Sequence, residues 1–227
     1  MSKTCVVIPI HNESRTIGPL IKSIGRKGLD IVVIDDGSMD NCGEIARAQG
    51  ARVITNTTKQ GKGLSLKKGF AFALEHGYDG VITMDGDGQH DVLDIDCFLN
   101  KIHTQPNCII TGSRMANSKG MPWIRFLTNS VMSLLISCIC RRKIPDTQCG
   151  FRYIGAEILR NINLQSNDFE IETEVLIKAS RQGYPIHSLP IKTIYSNERS
   201  KINPLQDTVR FIVYILKEIF RDDSSTA

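Results

Sequence analysis

The pattern that most constrains this chain is an alternation running through its first 112 residues, in which short β-branched runs take turns with stretches whose apolar residues recur at helical spacing. Cys5 to Ile10 is followed by Ile17, Leu20, Ile21 and Ile24 on one helical face. Ile31 to Ile34 leads into Asp35-Asp36-Gly37-Ser38, after which Ser38 or Asp40 can cap a helix bearing Ile45, Ala46 and Ala48. Arg52 to Thr55 reads as a third strand, and Lys59-Gln60-Gly61-Lys62-Gly63 opens a helix with Leu66, Phe70, Ala73 and Leu74 inward. Val81 to Met84 is a fourth strand and Ile109 to Gly112 a fifth, with Leu93, Phe98, Leu99 and Ile102 marking the helix between them. Strands joined by helix-length crossovers lie mostly parallel, in right-handed units, with helices on both faces. The expectation is an α/β fold around a central, mostly parallel sheet.

In such sheets ligands gather at the carboxyl ends of the strands. Three of those ends carry chemistry here: Pro9-Ile10-His11-Asn12-Glu13, Asp35-Asp36-Gly37-Ser38, and Met84-Asp85-Gly86-Asp87-Gly88-Gln89-His90. The last places two carboxylates and an amide at the end of a buried run, a hard, oxygen-rich set suited to Mg²⁺ or Mn²⁺. The Asp-Gly pairs are equally strong turn signals, so a solvated loop is the competing reading. Zinc fits poorly, because His90 has no Cys partner at ligand spacing.

A length of 227 residues suits one large domain, expected over residues 1–221 with a tail at 222–227. Hydrophobic and charged contents of 41% and 23% exclude a disordered or fibrous class. The net charge of +4 is spread among acidic residues, which argues against nucleic acid as a partner. The seven cysteines, including Cys5, Cys97, Cys108, Cys138 and Cys140 in apolar segments, have neither zinc spacing nor a disulfide framework and read as reduced core thiols of a cytoplasmic protein. No signal peptide is evident, and the most apolar stretch, Ser130 to Cys140, is shorter than the ~18 residues a transmembrane helix needs.

Beyond Gly112 the alternation weakens. Ser113-Arg114 is followed by a long apolar helical segment from Trp123 to Cys140, with Arg125 near its start. Asp146 to Arg152 forms a loop entering a short strand, and Phe169 to Arg181 reads as a helix carrying Glu170, Glu172 and Glu174 in its dipole-favoured first turns. Ile186 to Tyr195 reads as a strand, Asn197 to Asn203 as a polar loop and Leu205 to Arg221 as a last helix, apolar and basic enough to suit a membrane interface or a packed position.

These pieces together resemble the inverting family-2 glycosyltransferases of GT-A fold, especially the branch that loads sugars onto dolichyl or polyprenyl phosphate. The matching elements occur in the family's order: Pro9 to Glu13, Asp35 to Asp40, Gly61-Lys62-Gly63, Asp85 to His90, Gly112-Ser113-Arg114 and Asp146 to Arg152. Histidine at position 11 stands where much of the family has tyrosine, and the C-terminal transmembrane helices of many relatives are not evident. The resemblance implies a Rossmann-like three-layer sandwich with a nucleotide-sugar half at 1–112, an acceptor half at 113–204 and an amphipathic helix at 205–221.

It also implies roles. Asp36 would contact the base or ribose of the donor, with Pro9, His11 and Glu13 lining the same pocket and Lys62 near the nucleotide. Asp85, Asp87 and Gln89 would hold Mg²⁺ or Mn²⁺ against the diphosphate, Asp87 foremost. Arg114 and Arg125 would hold the acceptor phosphate, and Arg199 with Lys201 would close over the donor; Arg suits bidentate phosphate contact, Lys a point charge. A polyprenyl phosphate is already anionic at neutral pH and can attack the sugar without a general base, whereas a sugar hydroxyl would need one, and Asp146 is then the candidate. The implied donors are UDP-glucose or GDP-mannose, and the implied setting is peripheral, on the cytoplasmic face of a membrane. The alternatives are a family-2 enzyme acting on a glycan hydroxyl and an inactive nucleotide- or lipid-binding module.

Overall fold

The computed structural model describes residues 3–118, 120–194 and 215. Seven strands form one sheet: β1 (Thr4–Ile10), β2 (Asp30–Asp35), β3 (Arg52–Thr55), β4 (Gly80–Thr83), β5 (Ile109–Ser113), β6 (Arg152–Gly155) and β7 (Ile186–Pro190), in the order β3-β2-β1-β4-β6-β5-β7. β6 runs antiparallel to both β4 and β5, and every other pairing is parallel. The helices are α1 (Ile17–Gly25), α2 (Cys42–Ala48), α3 (Lys62–Glu75), α4 (Ile95–Thr104), α5 (Trp123–Ile139), α6 (Ala156–Asn161) and α7 (Ile171–Arg181).

The period of two in each strand builds two cores, one on each face. Cys5 and Val7 of β1, Val32 and Ile34 of β2, Val81 of β4 and Ile109 of β5 join one cluster with Leu66 and Phe70 of α3, Ile158 of α6 and Val175 of α7. Val6, Ile8, Val33, Ile82 and Ile110, their alternates, join the other with Ile17, Leu20, Ile21 and Ile24 of α1, Ala46 of α2 and Phe98 of α4. Burial on both faces is why these strands read as continuous apolar runs. The result is the expected three-layer α/β sandwich around a mostly parallel sheet.

Several boundaries differ from expectation. β4 stops at Thr83, α7 begins at Ile171, and β7 stops at Pro190, beyond which Thr193 makes a single bridge to His90. Leu93 is exposed in a short 3-10 turn ahead of α4, where Asp91 caps the backbone of Leu93. The cysteines are all unbridged, but Cys97 and Cys138 lie on exposed helix surface and are not core thiols. Arg199, Lys201, the polar loop, the last helix and the tail fall outside the described residues, apart from Ile215, which is buried.

The stacked Phe98 and Phe151 rings, 4.3 Å apart and fully buried, join α4 to the loop entering β6. Phe98→Ala is expected to lower unfolding free energy by about 3–5 kcal/mol. Met39→Ala, at a side chain 89% exposed, is expected to change it by less than about 0.5 kcal/mol. Equilibrium denaturation in urea measures both, and similar costs at the two positions would contradict this assignment of the core.

Candidate active site

The parallel strands deliver their carboxyl ends to one edge, and backbone contacts lock the loops there. β1 and β2 end in register at Ile10 and Asp35, and the Asp36 amide donates to the Ile10 carbonyl at 2.9 Å. Asn12 takes a left-handed backbone, φ 56°, with its amide donating to Ser38 Oγ and its side-chain oxygen accepting from the Met39 amide. Asp40 accepts from the backbone of Ser14 and Cys42, so it and not Ser38 serves the start of α2. Thr16 Oγ1 donates to the Gly86 carbonyl at 2.6 Å, tying the β1 loop to the end of β4. Pro9, His11 and Glu13 are half-buried on this edge, and His11 Nδ1 lies 2.9 Å from the Asp36 carbonyl.

Asp36 is buried, and its carboxylate organises the glycine-rich loop. Oδ1 accepts from Asn56 Nδ2 and the Gln60 amide, each at 2.8 Å, and Oδ2 from the Gly61 amide at 2.9 Å. A carboxylate offers about four acceptor positions, so the loop takes most of its capacity. Lys62 then enters α3 as its first residue. Gly63 has no room for a side chain, since a Cβ there would sit 2.4 Å from the Asn167 backbone. That close approach brings Lys62 up to α7.

Lys62 Nζ lies 2.5 Å from Asp85 Oδ1 and 2.8 Å from Glu172 Oε1, an ammonium between two carboxylates. Burial opposes its charge, but Asp85 and Glu172 more than offset this and hold its pKa above the usual lysine value. The other Asp85 oxygen faces His90 Nε2 at 3.2 Å. Asp85 also rests on Gly150, where a Cβ would meet Oδ2 at 2.5 Å. Burial would raise the Asp85 pKa, yet Lys62 and His90 drive it well below the carboxylate range. Asp87 shifts the opposite way, pushed up by burial and by the charge on Asp85. Its Oδ1 accepts from the Gln89 amide at 3.0 Å, and the Gln89 carbonyl accepts from the Ile194 amide.

This environment fits a divalent cation. Asp85 and Asp87 are hard oxygen donors whose mutual repulsion a cation would relieve, and half-exposure leaves Asp87 open to one. No group of three or more His, Cys, Asp or Glu able to hold a metal occurs among the described residues. A hard ion there would complete its shell with water and ligand oxygens.

At the neighbouring end of β5, Arg114 and Asp146 form a buried pair. Arg114 Nε and Nη2 donate to Asp146 Oδ2 and Oδ1 at 2.7 and 2.9 Å, and the amides of Arg114 and Gln148 add 3.1 Å bonds. Asp146 is fully buried, and although burial works to raise its pKa, Arg114 holds it below the usual value. With four donors on it and no solvent access, Asp146 is engaged with its own neighbours. It orients Arg114. Arg125 is half-exposed on the first turn of α5.

Two members of the site carried no functional assignment in the sequence reading. Arg152, 2% exposed, donates from Nε to the Cys149 carbonyl, from Nη2 to the Thr147 carbonyl and from Nη1 to the Glu172 carbonyl, which fastens loop 146–150 to α7. Its signals were its place at the end of the Asp146 to Arg152 element and at the head of an apolar strand. Glu172 was one of three glutamates, and only the fold separates them: Glu174 is buried and accepts from the Gln165 and Ser166 amides, while Glu172 faces Lys62.

Asp146→Asn would leave the Arg114 charge buried without its counter-charge, at a cost of about 3–5 kcal/mol. Because the folded Asp146 pKa is depressed, its stabilisation is present above the unfolded value and fades as pH falls through the folded one. Acid titration of unfolding free energy should therefore show a decline below about pH 4 that is smaller in the variant. An identical decline in both would contradict the pair's role.

The family model for "Glycosyl transferase family 2" matches residues 5–162. The chain is 30% identical to a dolichyl-phosphate hexose transferase of Haloferax volcanii, covering 88% of this chain and 86% of that one. It is 28% identical to an undecaprenyl-phosphate mannosyltransferase of Micrococcus luteus, with 83% and 82% covered. The fold is similar to that of glucosyl-3-phosphoglycerate synthase from Mycobacterium tuberculosis, solved with Mn²⁺, uridine diphosphate and phosphoglyceric acid, at a TM-score of 0.71 and 21% identity over 95% of this chain and 76% of that one.

Proposed function

The chain belongs to glycosyl transferase family 2, and from that membership we propose that it moves a hexose, with inversion, from a nucleotide sugar to a polyprenyl or dolichyl phosphate. The observation that carries the choice of acceptor is the sequestration of Asp146. Asp146, the candidate base for a hydroxyl acceptor, is paired with Arg114, and a phosphate oxygen, anionic at neutral pH, needs no such base. The names of the relatives, which act on dolichyl and undecaprenyl phosphate, support the same acceptor class.

In this reading Asp87, Asp85 and Gln89 would hold Mg²⁺ or Mn²⁺, which when bound would supply Lewis-acid stabilisation to the departing nucleoside diphosphate. The chain's own residues position the reactants. Pro9, His11 and Glu13 line the nucleotide pocket whose floor Asp36 builds by fixing loop 56–61. Lys62 adds positive charge beside the diphosphate. Arg114, held rigid by Asp146, and Arg125 receive the acceptor phosphate. Arg199 and Lys201, which the resemblance assigns to the donor diphosphate, lie outside the described residues. In-line attack then depends on positioning and on charge stabilisation. UDP-glucose and GDP-mannose are the front candidates for the donor.

The acceptor lives in a membrane, and α5 supports peripheral contact with one. No helix of the described residues is long and apolar enough to cross a membrane. Yet Trp123, Ile124, Leu127, Val131, Leu134 and Leu135 are all exposed on α5, Trp123 at 73% and Leu134 at 65%. The opposite side of the helix, through Ser133, is hydrogen-bonded to Thr147, next to Asp146. A groove of about 560 Å³ along α5 is lined by Phe126, Leu134, Ile144 and Pro145 and rimmed by Arg141, Arg142 and Lys143. No acidic residue occurs from Cys97 to Pro145. An apolar face with a basic edge suits the cytoplasmic surface of an anionic bilayer.

Incubation with a panel of UDP- and GDP-sugars plus undecaprenyl or dolichyl phosphate should yield a lipid-linked sugar, and EDTA should abolish it. Asp87→Ala is expected to slow transfer on the order of 100-fold or more. Full turnover in EDTA, or transfer to a glycan hydroxyl with none to lipid phosphate, would refute the proposal. Sedimentation with phosphatidylglycerol vesicles tests the surface. Trp123→Ser with Leu134→Ser removes on the order of 2 kcal/mol of apolar transfer energy per side chain, so vesicle binding should weaken sharply; unaltered binding would reject α5 as the contact.

A further inference from the structure

We infer that Lys62 is a resident counter-cation of Asp85, that a divalent cation must displace it, and that Glu172 is the positioning residue that offers it a second berth. The inference rests on the metal reading above and concerns what the chain does before metal arrives.

The geometry is that of an exchange site. Lys62 Nζ sits 2.5 Å from Asp85 Oδ1, with His90 Nε2 3.2 Å from Oδ2 and Gly150 packed close to the same carboxylate. A hard cation reaching for Asp85 therefore meets an ammonium already at the oxygen it needs. A lysine ammonium is a compact charge on a flexible stem and can change partners without unfolding anything.

Glu172 supplies the alternative partner 2.8 Å away, and it is itself fixed. Its carbonyl accepts from Arg152 Nη1, its Oε2 lies 3.8 Å from Arg152 Nη2, and Arg152 is anchored on the Thr147 and Cys149 carbonyls. The Phe169 ring, 5.8 Å from Nζ, flanks the ammonium on another side. Lys62 is thus held between two carboxylates from opposite halves of the sequence. An incoming diphosphate brings negative charge that competes with Asp85 for the ammonium. Its arrival frees the carboxylate for the cation, so cation and nucleotide should bind with positive, reciprocal coupling.

Mn²⁺ titration of the full chain, followed by electron paramagnetic resonance without nucleotide, tests this apart from turnover. Lys62→Met should bind Mn²⁺ roughly tenfold or more tightly than the parent chain, within the usual range for coupled sites. Lys62→Gln should shift affinity the same way, and circular dichroism identifies which variants are folded. Glu172→Gln should weaken Mn²⁺ binding by leaving Lys62 to Asp85 alone, and should matter less once Lys62 is Met. UDP or GDP should raise Mn²⁺ affinity more in the parent than in Lys62→Met. Unchanged or weaker Mn²⁺ binding in the folded Lys62 variants overturns the exchange. An equal Glu172→Gln effect with and without Lys62 overturns the positioning role. No Mn²⁺ binding by the parent chain, with or without UDP and GDP, refutes instead the metal reading beneath it.

Discussion

Strand β6 runs against both of its neighbours, and the site depends on that reversal. A strand antiparallel to β4 and β5 begins at the edge where they end, with Arg152 paired to Thr83 and Thr111. Loop 146–151 is thereby brought to the carboxyl edge of a sheet whose other strands reach it with their far ends. Thr83 Oγ1 fixes the Gly150 carbonyl, and Gly150 lies against Asp85. An all-parallel sheet would return the chain to this edge only after another strand, without a loop from the later half of the sequence wedged against the β4 carboxylates.

The charges at this edge are arranged as linked pairs rather than isolated groups. Asp146 neutralises Arg114, Lys62 bridges Asp85 and Glu172, and Arg152 fastens the Glu172 backbone to loop 146–150. Buried charges persist only when partnered, and here the partners come from distant parts of the chain. Asp87 is the exception, with one backbone donor and a like charge beside it, which raises its pKa.

The sequence made the layered core legible because burial on both faces writes itself as continuous β-branched runs and α1 writes itself as Ile17, Leu20, Ile21 and Ile24. It was less informative where polar side chains face other polar side chains. Asp36 reads as a ligand contact, and its hold on loop 56–61 was not visible in the sequence. Asp146 reads as a potential base, and its pairing with Arg114 was not visible in the sequence. Cys97 and Cys138 sit in apolar stretches yet lie at the surface, because α4 and α5 each expose one side.

What the sequence determined alone was the alternation of strands and helices, the edge at which chemistry gathers and the pair of acids at its centre, since these follow from local periodicity and from where apolar runs end. What only the tertiary structure decided was pairing: that Glu172 and not Glu170 or Glu174 meets Lys62, that Arg152 closes the loop, and that Asp146 is spoken for. Each of these contacts spans tens of residues of sequence or depends on which way one turn of a helix faces. Its energy is the attraction of a charge for a carboxylate or carbonyl partner, offset by the desolvation of both, and such a balance has no local signature in the order of residues.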